Sequence, residues 1–225
     1  MAMEALHGDP RGDMRFTTDD DITFGGVGTK DVKYRWPGYP GKPEVAYEIH
    51  SSLSSLKSKI KTAMDQYHKH TCVKFVERKK QKDYVLIIKG DGCWSYIGKQ
   101  GGNQTLSLGK GCEYVGTIVH ELGHAVGLYH EQQRSDRDQF ITVNMTNVKK
   151  GFEGNFNKIK PSEELRYTTY DYNSIMQYGE YAFSRAPKIL KTMVAKDGTP
   201  LKEPYEKPGL TAKDMDVINK MYQCK

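Results

Sequence analysis

The chain predicts an α+β fold with two lobes facing a cleft. The N-terminal lobe is a mixed sheet with two long helices. The C-terminal lobe is mostly irregular and ends in a helix. Three observations predict this. Apolar residues recur at helical spacing between Ser52 and His68, with short strand candidates on either side. A second helical stretch, 115–126, carries histidines near the middle of the chain. After His130 the sequence turns polar and irregular until Thr211.

Taken in order, residues 1–30 hold Asp9, Asp13, the acidic run Asp19–Asp21 and the Gly-rich FGGVG at 24–28. They show little apolar periodicity and read as an extended leader outside the core, with 31–225 as the main domain. Trp36 to Pro43 is rich in Pro and Gly and reads as a loop entering a strand, Val45–Ile49. From Ser52 to His68, Leu53, Leu56, Ile60, Ala63, Met64 and Tyr67 fall on one helical face, with Ser51 or Ser52 as the N-cap. Strand candidates follow at Val73–Val76, Tyr84–Ile88, Trp94–Tyr96 and Thr105–Leu108, and the basic run Arg78–Lys82 reads as a loop between two of them. The last helix spans Thr211–Tyr222. Met215, Ile218, Met221 and Tyr222 would line its apolar face, and Asp214 and Asp216 suit its first turns, near the positive end of its dipole.

Bulk properties narrow the function. The chain has 225 residues, enough for one substantial core or two lobes. Its 34 basic and 28 acidic residues leave a net charge of +6, but the basic residues are scattered and lack interleaved aromatics. That argues against a nucleic-acid groove. No apolar run reaches the length of about 18 residues that a membrane span needs, and the first residues lack a secretory signal. The four cysteines, Cys72, Cys93, Cys112 and Cys224, suggest two disulfides of an extracellular protein, with three pairings open. Asn103 and Asn144 sit in glycosylation sequons.

The chemistry lies in one run, HELGHAVGLYH, at 120–130. His120 and His124 are four apart and share a helix face. Gly127 stands where the helix must stop and turn, which a glycine does with positive φ. His130 then returns toward the same point. Three neutral imidazoles suit one Zn²⁺ and leave a position for water. Glu121, beside the first ligand, can take a proton from that water. Such a set is suited to hydrolysing a peptide bond. Five fixed residues at fixed offsets are far more specific than a bare HExxH.

A second motif, Ser174-Ile175-Met176-Gln177-Tyr178, lies downstream. With HExxHxxGxxH it resembles the metzincin proteases, and more specifically the astacin family. The resemblance covers 33–224. It is carried by Glu131 after the third histidine, the continuation HEQQRSDRDQFITVNMTNV, CWSYIGKQGGNQTLSL at 93–108 and GLTAKDMDVINKMYQC at 209–224. It implies that His120, His124 and His130 bind one Zn²⁺ and that Glu121 is the general base. Tyr178 is then a fifth ligand at rest and an oxyanion donor in reaction. Met176 supports the site from below. Glu131 would receive the buried N-terminus of a trimmed chain. The implied disulfides are Cys72–Cys224 and Cys93–Cys112. Gln177 departs from the family, where His is usual, and PGYPGKPEVAYEI after Trp36 replaces a more compact segment.

Astacins are made as precursors whose pro-segment places an aspartate on the metal. Gly8-Asp9 and Gly12-Asp13 precede the domain here, neither with the family's Phe, so Asp13 or Asp9 is the candidate blocking ligand. Removal of the leader would cut between Asp21 and Asp31, with Lys30 as a trypsin-like site for an activating protease. The expectation is therefore a secreted, monomeric zinc endopeptidase acting on extended protein or peptide substrates paired near Gly98–Ser107. One alternative is that this form is a latent zymogen. Another, which the intact Glu121 disfavours, is a non-catalytic binding protein.

Overall fold

A computed structural model describes residues 27–225, with the Val27 backbone as its first described element. The aspartates Asp9 and Asp13 and the acidic run at 19–21 lie outside the described residues. Residues 27–29, grouped with the leader on sequence, form strand β1 (Val27–Thr29) of the folded body. A three-residue strand carries no periodicity of its own, and its partners lie far away in sequence.

The N-terminal lobe follows from β2 (Glu44–Ile49), helix α1 (Lys57–His70), β3 (Lys74–Glu77), β4 (Tyr84–Ile88), β5 (Cys93–Ser95) and β6 (Asn103–Leu108). The five strands form one sheet in the order β3-β2-β4-β6-β5. All neighbours are parallel except the antiparallel β5–β6 pair. The first long helix starts differently from expectation. Ser51–Leu56 is 3-10, with a break at Leu53, and α1 proper begins at Lys57. The cap is His50, whose Nδ1 accepts from Ser52 N, so neither serine takes that role. The apolar face holds: Leu53, Ile60, Ala63, Met64 and Tyr67 are buried.

Next come helix α2 (Val115–Val126), β7 (Leu128–Tyr129), β8 (Ile141–Val143), β9 (Glu164–Leu165), β10 (Met193–Ala195) and helix α3 (Ala212–Tyr222). β1 sits between β7 and β9, and β8 pairs with β10. The long irregular stretch folds around a second core that includes Ile141, Phe152, Phe156, Tyr178, Phe183 and Met193. Disulfides join Cys72 to Cys224 and Cys93 to Cys112. The first ties the end of α3 to the turn after α1.

One expectation fails in detail. Met215 is only partly buried, and Val217 takes its place on the inner face of α3. Of the segment Gly98–Ser107 expected to pair with substrate, the part in β6 is paired with β4 along Asn103–Ser107, and β5 pairs with β6 along Leu106–Leu108. The edge strands of this sheet are β3 and β5, and β5 packs against α2.

Candidate metal centre

Helix α2 is buried along almost its whole length, so its ends must find partners inside the protein. The C-terminal carbonyls can be accounted for one by one. Gly127, at φ +106°, donates to Gly123 O and His124 O. Gly98 N also donates to His124 O (2.8 Å). Trp36 Nε1 takes Ala125 O (2.7 Å), and Tyr222 Oη takes Val126 O (2.9 Å). Tyr67 Oη reaches Val119 O from α1 (2.6 Å). These bonds fix where the helix stops and so where the chain returns with His130.

The three histidines meet. Their Nε2 atoms form a triangle of 3.1, 3.1 and 3.3 Å, and all three side chains are buried. Each Nδ1 faces an oxygen: His120 faces Ile175 O (2.8 Å), His124 faces Leu128 O (2.8 Å) and His130 faces Gln133 Oε1 (3.1 Å). A carbonyl only accepts, so each Nδ1 carries the hydrogen and each Nε2 presents a lone pair. Three converging lone pairs repel one another unless a cation lies between them. A tetrahedral zinc with Zn–N bonds of about 2.0–2.1 Å sets its nitrogens about 3.3 Å apart. The residues present fit that ion in number, tautomer and spacing.

Glu121 is buried beside His120 on the same helix. The ring of Tyr178 lies 4.3 Å from that of His130 and 5.7 Å from that of His120, centroid to centroid. Met176 is buried beneath α2, where a Cβ on Gly123 would come within 2.8 Å of its sulfur. Gly123 is thus the gap that lets the turn 174–178 approach the ligand helix. Gln177, in place of the family's His, is fully buried. It accepts from Tyr170 Oη (2.5 Å) and donates to Tyr178 O (2.9 Å). Its amide thereby links the turn to the second core.

Glu131 is buried and accepts from Arg134 Nη1 (3.0 Å) and Asp171 N (2.9 Å). Burial pushes its carboxyl up to about 7, against the pull of the Arg134 guanidinium. Asn103 and Asn144 are both exposed.

Two residues at this centre escape sequence reasoning. Asp214 is buried and receives Ser174 Oγ (2.6 Å) and Ile175 N (2.9 Å), as well as capping its own helix through Thr211. Burial raises its carboxyl, although these donors pull it down. Lys207 is buried with its amine on Ser174 O (2.7 Å) and Gln177 O. Burial lowers that amine to about 8. Helix-dipole logic alone places Asp214 at the start of α3 and says nothing of the turn it grips. Lys207 carries no signal at all, because a lysine in a Pro-rich loop reads as solvated.

Among the described residues, no helix is long and apolar enough to cross a membrane. Residues 28–223 match the family described as Astacin, a peptidase family. The chain is 43% identical over 216 residues to an astacin-like metalloprotease toxin 1 of Loxosceles intermedia, covering 95% of this chain and 80% of that one. It is 44% identical over 214 residues to the zinc metalloproteinase nas-4 of Caenorhabditis elegans, covering 92% and 64%. Its fold matches high choriolytic enzyme 1, a hatching-enzyme zinc protease of Oryzias latipes. The TM-score is 0.81 at 32% identity, over 89% of this chain and 100% of that one. With a zinc-fitting histidine triangle at its centre, the chain belongs to the astacin family and is a zinc metalloendopeptidase.

Proposed function

We propose that this chain is a secreted endopeptidase that cuts extended polypeptides, with Glu121 as general base and Tyr178 as oxyanion donor. The observation that supports it best is the triangle of Nε2 atoms with a buried carboxylate on the adjacent residue of the same helix. Zinc, when bound, supplies Lewis acidity and makes a water acidic enough to lose a proton near neutral pH. Glu121 takes that proton and later gives it to the leaving amine. The Tyr178 phenol donates to the negative oxygen that develops on the scissile carbonyl. Met176 holds the histidines from below. An extended substrate adds main-chain hydrogen bonds along the outer strand β5. We assign His120, His124 and His130 as the zinc ligands and Tyr178 as the fifth at rest.

Residues preceding the folded body act as a pro-segment in this reading, with Asp13 or Asp9 filling the water position. Trimming by another protease releases it, and the new N-terminus pairs with Glu131. The two disulfides and the toxin among the relatives support secretion.

The test is cleavage of casein or gelatin by the 225-residue chain, before and after limited trypsin treatment, with a chelator and Glu121→Ala as controls. Activity that appears on trimming and vanishes in both controls is the expected result. Full activity before trimming would overturn the zymogen reading alone. Undiminished activity of Glu121→Ala would overturn the general-base assignment.

A further inference from the structure

The segment 203–207 touches both halves of the metal centre. It makes a 3-10 turn at Pro204–Glu206, closed by a reciprocal cap between Glu203 and Glu206. On one side its backbone lies against the first turn of α2. A Cβ on Gly116 would collide with the carbonyl oxygens of Pro204 and Lys207. On the other side the Lys207 amine donates to Ser174 O and Gln177 O, the two ends of the turn that underlies the histidines. That turn passes its position directly to a ligand, because Ile175 O holds His120 Nδ1 at 2.8 Å.

We propose that Lys207 is a positioning residue of the metal centre, fastening the turn 174–178 to the ligand helix α2 through the segment 203–207. Two features distinguish this from ordinary packing. Lys207 is almost fully buried, and a buried ammonium is costly unless specific acceptors hold it. Its acceptors are backbone carbonyls, so it fixes the path of the chain itself. Asp214 grips the same turn from α3, through Ser174 Oγ and Ile175 N. The turn is therefore held by a cation on its carbonyls and an anion on its donors. Removing the cation frees Ile175 O to drift and loosens the orientation of His120. Outer partners of metal-bound histidines matter in this way, and losing one typically costs about 10–100-fold in metal affinity.

The proposal rests on the three-histidine centre, so the experiment separates the two. Zinc content of the wild-type full chain is measured first, and a chain without zinc would sink the centre itself. Zinc affinity is then compared by chelator competition for Lys207→Met, Lys207→Arg and Lys207→Gln. Casein turnover is measured under the condition, untrimmed or trimmed, that gives wild-type activity. Ile87→Val, buried on strand β4 and without a hydrogen bond to the turn 174–178 or to Lys207, serves as a control for general destabilisation. Lys207→Met should bind zinc at least about 10-fold more weakly and lose kcat with KM within about twofold. Lys207→Arg, which keeps several donors, should recover most of both. If Lys207→Met does not fold, the decision falls to the other two: Lys207→Gln, too short to span both carbonyls, should hold zinc more weakly than Lys207→Arg. Zinc affinity and kcat of Lys207→Met within twofold of wild type, equal behaviour of the Arg and Gln variants, or the same loss in Ile87→Val would each overturn the proposal.

Discussion

Replacing Gly116 by alanine sets two physical effects against each other. Gly116 lies in the first turn of α2. Helix propensity alone favours alanine there by up to about 1 kcal/mol. The tertiary structure opposes it. A Cβ on Gly116 would lie 2.6 Å from Lys207 O and nearer still to Pro204 O. An ordinary carbon–oxygen contact is about 3.3 Å or more, so the segment 203–207 must retreat by roughly 0.7 Å to clear Lys207 O and by more than that to clear Pro204 O. Both obstructing atoms are backbone, in a turn pinned by its own caps, so no side chain can rotate away. Overpacking of this kind costs about 1–3 kcal/mol. The cost outweighs the propensity gain, and the net loss should be about 1–2 kcal/mol. For a chain of this size that lowers Tm by roughly 2–8 °C. The retreat also carries Lys207 Nζ away from Ser174 O, so zinc should leave faster. Thermal unfolding of the zinc-loaded chain, with chelator-induced zinc release, measures both effects. A Gly116→Ala protein that melts at or above the wild-type temperature and keeps its zinc as well would refute this account of the 203–207 segment.

Three other outcomes are expected. Cys72–Cys224 spans 152 residues and Cys93–Cys112 spans 19, so loop-closure entropy gives about 5 and about 3 kcal/mol respectively. Urea unfolding of Cys72→Ser/Cys224→Ser should show the larger loss, and a larger loss in Cys93→Ser/Cys112→Ser would contradict the entropic account. Unfolding releases the Lys207 amine from an environment that holds it at about 8 to one where it stays protonated to its ordinary 10.5. The unfolded state then binds more protons between those values, so wild-type stability should rise with pH across that window by on the order of 3 kcal/mol relative to Lys207→Met. A flat difference in pH-dependent unfolding would show that burial leaves the amine at its ordinary value. Tyr178→Phe keeps the ring beside His130 and removes the phenol. Its kcat should fall by roughly 10²-fold with KM little changed, and steady-state proteolysis that shows unchanged kcat would remove Tyr178 from the oxyanion role.

Much of the fold is legible because its elements are strongly periodic. The face Leu53, Ile60, Ala63, Met64 and Tyr67 marks the first long helix, and the strands of the main sheet appear within a residue or two. The start of that helix is not legible, because His50, rather than a serine, supplies the cap. Capping depends on which side chain can turn back, and two adjacent serines leave that undecided. β1 reads as part of the leader because a strand of three residues has no pattern until its neighbours β7 and β9 are placed. The outer edge of the sheet is hidden for a related reason. Strand order is a property of pairings between segments, and β5 and β6 differ only in what lies beside them.

At the metal centre, the sequence by itself determined the three histidines, the glutamate beside the first, and the glycine that turns the chain. Their spacing along one short segment encodes their convergence, since helix geometry and a single φ of +106° at Gly127 do the rest. The tertiary structure alone decided how that segment is held. Trp36 and Tyr222 close the end of α2, Gly116 and Gly123 admit other backbone and sulfur against it, and Lys207 and Asp214 grip the turn that orients His120. None of these contacts is local in sequence. Each one satisfies a buried polar group or fills a space that exists only once segments far apart in sequence have packed together, and no spacing rule along the chain can anticipate such a group.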